Sequence, residues 1–136
     1  MKKMIARLLA AAVLFVPAAA NAQASVSCMY MLLRVYHAEL DHCRVALPND
    51  REARYSRMRT GMEKFIRDNA KVDPEKLIAG IADNEKRAIS GLTSCQSDDF
   101  KLARQAIDQM TDLSNERMVI DTLKIPRDPQ SGSCGN

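Results

Sequence analysis

Apolar residues return at steps of three and four through most of this chain. Met29, Leu32, Leu33, Tyr36, Leu40 and Cys43 form the first series, the spacing that lines one face of an α-helix. Pro48 and Asn49 interrupt it, and Asn49 suits an N-cap with Glu52 three residues on, as in a capping box. Tyr55, Met58, Met62, Phe65, Ile66 and Asn69 make a second series. In KVDPEK, Asp73 stands where a cap belongs and Pro74 takes the first helical position. A third series runs Leu77, Ile78, Ile81, Ala88, Ile89 and Leu92, with Gly91 near its end. Ser97, Asp98 and Asp99 then supply an N-terminus. Phe100, Ala103, Ile107, Met110 and Leu113 form the last series, which continues to Met118 and Leu123 with a break expected near Ser114-Asn115. The closing IPRDPQSGSCGN has the Pro, Gly and Ser content of an irregular tail. No strand-like alternation and no internal repeat interrupts this order.

The pattern predicts an all-α fold: a small antiparallel up-down bundle of about four helices. Each helix has one apolar face that needs the others to bury it. The four cysteines, Cys28, Cys43, Cys95 and Cys134, constrain that bundle. Cys28 and Cys43 fall on one helix, 15 residues and so about 22 Å apart. A disulfide needs Cα atoms within about 7 Å, so these two cannot pair. In an up-down bundle helix 1 ends where helix 4 begins, and the tail leaves helix 4 where helix 1 begins. That predicts Cys43–Cys95 and Cys28–Cys134, each worth on the order of 4 kcal/mol from loop closure.

The first residues decide where such staples could form. Lys2, Lys3 and Arg7 open the chain, Leu8 to Val16 is a short apolar run, and Pro17 leads into small residues with two A-x-A sites. These three zones read as a secretory signal peptide over residues 1–24, cleaved after Ala22 or Ala24. The run is shorter than the roughly 20 residues a membrane span requires, so no stable anchor remains after cleavage. Ser25, three residues before Cys28, does not suit lipidation of that cysteine. Residues 25–124 then form the helical domain and 125–136 a tail tied back through Cys134. An even cysteine count in an exported chain of this size reads as two disulfides. No C-x-x-C pair is present.

Losing the leader changes the charge. The full chain has 20 Lys+Arg and 17 Asp+Glu; three of the basic residues leave with the leader and the remainder is neutral. A nucleic-acid partner is not expected, since that calls for a basic patch, and three Tyr, three Phe and no Trp give few stacking platforms.

Candidate chemistry gathers around AELDHCRVALPNDREARY. His37 and Asp41, four apart, share a helix face and are the candidate metal ligands. His42 lies about 140° around from His37, so the imidazoles diverge, and H-E-x-x-H is absent. With Cys43 in a disulfide its sulfur is neither ligand nor nucleophile. The segment therefore reads as a helix C-terminus carrying a structural cysteine, with His42 at the negative end of the dipole. Met29, Met58, Met62 and Met110 lie on the stripes and read as core. A copper(I) site from the methionines of CMYM with His37, or haem held by a Met and a His, is the competing use. Asn84 and Glu85 interrupt the third stripe, so one of them points inward. A buried carboxylate needs a partner, and Arg104 or His37 is expected to pair with Glu85. The second helix is rich in Arg and the fourth region in Asp, which reads as solvated faces with cross-helix pairing.

No acid/base dyad, Ser-His-Asp spacing or phosphate loop emerges, so neither catalysis nor a cofactor is expected. The chain is similar in outline, in size, export and stapling, to helical periplasmic immunity proteins that act against delivered toxins. The reading is a periplasmic or secreted protein that binds another protein, as an inhibitor, an immunity-type protein or an accessory subunit. A metal or haem carrier on the same bundle and a periplasmic stress chaperone are the alternatives.

Overall fold

A computed structural model describes residues 24–134. The leader read over residues 1–24 lies, apart from Ala24, outside the described residues. Five α-helices account for nearly all the regular structure: α1 (Val26–His42), α2 (Asn49–Asn69), α3 (Pro74–Gly91), α4 (Asp98–Met110) and α5 (Leu113–Leu123). The described residues contain no β-strand, only an isolated parallel bridge between Ala24 and Ser133.

The caps follow local chemistry. The Ser25 hydroxyl accepts from Cys28 N, Asp73 accepts from Glu75 N ahead of Pro74, and the Ser97 hydroxyl accepts from Phe100 N. Each satisfies an amide that the first turn leaves open. Asn49 departs from its expected place. It begins α2 as a helical residue, Pro48 holds the cap position, and no side chain caps this end. Glu52 is thereby free to turn elsewhere, and it faces His37.

α1 ends in a Schellman turn. Val45 N donates to Leu40 O at 2.9 Å and Arg44 N to Asp41 O at 3.0 Å. Arg44 takes the left-handed position usually given to glycine, at φ 56°. Leu40 and Val45, which flank this turn, both pack in the core.

The arrangement departs from a ring of four sequential neighbours. α1 is central and packs on α2, α3 and α4, while α5 packs mainly on α2. α3 and α4, although consecutive, make no substantial contact. From Ser25 to Leu40 no residue of α1 is exposed, so the helix is enclosed on several sides rather than buried along one stripe. Val26, Tyr30, Leu33 and Leu40 of α1 meet Tyr55, Met58, Met62 and Ile66 of α2, Ile81 of α3, Phe100 and Ile107 of α4 and Val119 of α5 in one core.

The last series breaks earlier than its pattern suggests, at Thr111-Asp112 rather than Ser114-Asn115. Thr111 is fully buried and its hydroxyl donates to Ile107 O. Arg51 donates to Asp108 O, and Arg54 donates to Thr111 O at 2.7 Å. Two guanidinium groups thus close the carbonyl end of α4, where the helix dipole is negative. α4 consequently runs from the end of α1 to the start of α2. α5 then runs parallel to α2, with Arg57 beside Glu116 and Gly61 opposite Leu123. It is α5 and the tail, not the end of α4, that return the chain to the start of α1.

Both disulfides sit at these junctions. Cys43, the C-cap of α1, is bonded to Cys95 just before α4, with Cα atoms 5.6 Å apart. Cys28, in the first turn of α1, is bonded to Cys134, with Cα atoms 5.3 Å apart. No free cysteine is found among the described residues.

Candidate functional site

A network of polar side chains links α1, α2 and α3, with Arg34 as its buried member. Tyr30 and Arg34 are four apart on α1 and turn the same way. Arg34 Nη1 donates to the Tyr30 hydroxyl at 2.9 Å, and the Tyr30 hydroxyl donates to Glu63 Oε2 at 2.9 Å. Arg34 Nε donates to Glu85 of α3. On the far side, Arg67 holds Glu63 at 2.9 Å and Glu75 of α3 at 2.8 Å. The result is a circuit from α3 through α1 and α2 back to α3. Asn84 closes it further by donating to the Met31 sulfur at 3.1 Å.

The electrostatics follow from these partners. Burial raises the Tyr30 phenol, and its bond to Glu63 raises it further against the opposing Arg34 charge. Burial would also raise Glu63. The bonds from Tyr30 and Arg67 outweigh that and hold its carboxyl below the ordinary value. Burial alone would weaken the Arg34 charge, yet its bond to Glu85 leaves the guanidinium more firmly protonated.

Glu85 therefore has a partner, but neither Arg104 nor His37. Arg104 is on α4, which makes no substantial contact with α3, and it lines a surface groove with Arg51, Lys101 and Asp108. His37 lies one turn beyond Arg34 and faces α2. Its ring stacks on Tyr55, with centroids 3.7 Å apart and planes 7° from parallel. Its Nε2 is 3.0 Å from both carboxylate oxygens of Glu52, and Nδ1 is 3.4 Å from Asp41. His37 and Asp41 are thus neighbours, and sequence reading missed Glu52 as a third member. Among the described residues no set of three His, Cys, Asp or Glu side chains converges as a metal site requires. His42 is exposed in the last turn of α1.

Elsewhere the arginines of α2 and the acids of the later helices meet directly. Arg57 clasps Glu116 through two bonds, at 3.0 and 3.1 Å, and Glu116 is buried. Chemically, the α1–α2–α3 network ties its side chains to one another across three helices, an arrangement that orients helices. Signals for it were present as Tyr30 and Arg34 at i and i+4 and as the polar interruption Asn84-Glu85.

The outer surface differs. Leu113, Met118, Ile120 and Ile125 are 45, 56, 44 and 64% exposed. They are four of the six large apolar side chains that stand exposed among the described residues, and all belong to α5 or the chain just after it. α5 rests mainly on α2, so most of its circumference faces outward. No helix among the described residues is long and apolar enough to cross a membrane. Comparison of the chain with models of protein families, with curated proteins and with solved structures finds no match.

Proposed function

We propose that the protein is exported, loses its leader and acts by binding another protein in the cell envelope or outside, as an inhibitor, an immunity-type protein or an accessory subunit. The observation that carries this reading is that Leu113 and Ile120, at i and i+7 and so on one face of α5, are both exposed. Singly scattered apolar residues are ordinary on a protein surface, whereas grouped ones mark interaction sites. The three-zone leader and the two disulfides support an oxidising destination.

The test is native mass spectrometry of the protein drawn gently from its own host, beside a Leu113→Asp/Ile120→Asp variant. The wild type is expected to retain one protein partner. The variant is expected to keep its helicity and both disulfides and to come bare. A wild-type chain carrying metal or haem, released on His37→Ala substitution, would replace this reading with the carrier. Suppression of aggregation of many clients, with no discrete complex, would replace it with the chaperone.

A further inference from the structure

A glycine inside a helix destabilises it relative to alanine, because its backbone loses more freedom on folding. Gly61 stands where α5 crosses α2, and a Cβ there would meet Leu123 Cδ1 at 3.2 Å. Its small size admits the leucine. Gly91 is the last residue of α3. Gly80 differs from both. It lies in the middle of α3, and a Cβ there would meet nothing within 4 Å. Packing within the fold gives no reason for a glycine at this position.

Over Gly80 lies an open groove of about 430 Å³ between the first half of α1 and α3. Met31, Leu77 and Ile81 line it with apolar surface, and Lys76 and Arg87 stand toward its two ends. Lys76, Gly80 and Arg87, at i, i+4 and i+11, share one face of α3. Both cations are exposed, and no ion pair among the described residues includes either. No Asp or Glu among the described residues lines the groove; Asp83, four residues before Arg87, is not part of its walls.

We infer that this groove receives an extended acidic segment of a protein partner, with carboxylates on Lys76 and Arg87 and an apolar side chain over Gly80. The inference rests on the protein-binding reading and names the chemistry of what is bound, on a surface apart from α5. Eleven residues of helix place the two cations about 16 Å apart. In an extended chain, residues four apart lie on one face about 13 Å apart, and the residue midway faces the same way. The reach of the Lys, Arg and Glu side chains covers the remainder. A Glu-x-Leu-x-Glu segment thus sets one carboxylate on each cation and its leucine on the apolar floor. The bare Cα of Gly80 would admit that leucine as Gly61 admits Leu123.

The test titrates the oxidised protein with a blocked Glu-Ser-Leu-Ser-Glu peptide and, separately, with Lys-Ser-Leu-Ser-Lys, followed by backbone amide NMR. The acidic peptide is expected to shift Met31, Gly80 and Asn84, and the basic one to leave them in place. Lys76→Glu/Arg87→Glu is expected to weaken binding by about tenfold or more. Gly80→Leu is expected to melt at or above the wild type, since leucine favours helix, and yet to lose the peptide. Equal shifts from both peptides, no shift at the groove, or undiminished binding by Gly80→Leu would each overturn the inference. In the native complex, a partner kept by Gly80→Leu but lost by Leu113→Asp/Ile120→Asp would also overturn it, while upholding the protein-binding reading. A chain that comes bare from its host and still takes the acidic peptide in the groove would overturn that reading and support the groove.

Discussion

Arg44 closes α1 in a backbone region that side chains rarely enter, at φ 56°. A left-handed residue other than glycine costs about 1 kcal/mol. Arg44→Gly is therefore expected to stabilise the protein by about 1 kcal/mol, a rise of roughly 4 °C in melting temperature, read by calorimetry. Glu39, one turn earlier, carries a different cost. Burial and the nearby charge of Asp99 raise its carboxyl above the ordinary value. A raised carboxyl stabilises the folded state while protonated, and that contribution disappears as pH climbs through the folded value. Glu39→Gln is expected to gain about 0.5 kcal/mol at neutral pH, allowing for solvent screening, with the gain vanishing in acid. Melting curves from pH 4 to 8 measure it, and a gain independent of pH would contradict the cause given. At this scale the sequence was readable where chemistry is local, as for Ser97, Asp73 and Pro74. It was not readable for Arg44, whose identity gives no sign of its backbone, or for Glu39, whose neighbour lies on a helix distant along the chain.

Between helices, the circuit through Arg34 does what apolar contact does elsewhere. α3 buries only Ile81 and packs Leu77 and Ile78 part-buried on the core, so its hold on α1 also draws on Glu85 and Asn84. Removing one member strands the others: Arg34→Ala is expected to cost about 2–4 kcal/mol in urea denaturation, because Glu85 and Tyr30 lose their shared partner. Replacing both ends together, Arg34→Met with Glu85→Leu, is expected to recover most of that loss. The pH response is opposite to that of Glu39: with its carboxyl held below the ordinary value, Glu63 contributes stability above the unfolded value and loses it as the solution becomes acid. The interruption at Asn84-Glu85 correctly announced a polar contact for α3. Its partner was hidden because it depends on which helices touch, and periodicity within a helix says nothing of that. Arg104 can reach Glu85 only where α3 and α4, consecutive in the chain, also lie side by side, and here they do not.

For the molecule as a whole, helix content was the most legible property and arrangement the least. The fourth stripe keeps its three-and-four spacing as far as Leu113 and loses it only beyond, toward Met118 and Leu123, so the spacing sets the break a few residues late. The turn exists because Arg51 and Arg54 claim the carbonyls at that point. The disulfides were legible for a simpler reason. The length of α1 forbids Cys28–Cys43, and joining the two ends of α1 to different later segments holds whether the chain returns on one helix or on two. Cys43 and Cys95 are 52 residues apart and Cys28 and Cys134 are 106 apart. In the chain-entropy model their removal costs about 4 and about 5 kcal/mol. Cys43→Ser/Cys95→Ser is expected to lower stability by about 4 kcal/mol in guanidinium denaturation, and a loss under about 1 kcal/mol would mean that the α1–α4 junction orders itself without the bond.

The bond between Cys28 and Cys134 also has a mechanical meaning. It joins the first turn of α1 to the last described residue, so every helix after that turn lies on a closed covalent ring. Tension applied between the two ends of the domain passes from the short leading segment through one sulfur–sulfur link and out through Cys134. The five helices lie outside that path and bear almost none of it. Pulled from both ends, the oxidised protein would lengthen by little more than its short terminal segments. With that bond alone reduced, α1, α4 and α5 would unravel while Cys43–Cys95 still shielded α2 and α3, so the two bonds set two successive lengths under force.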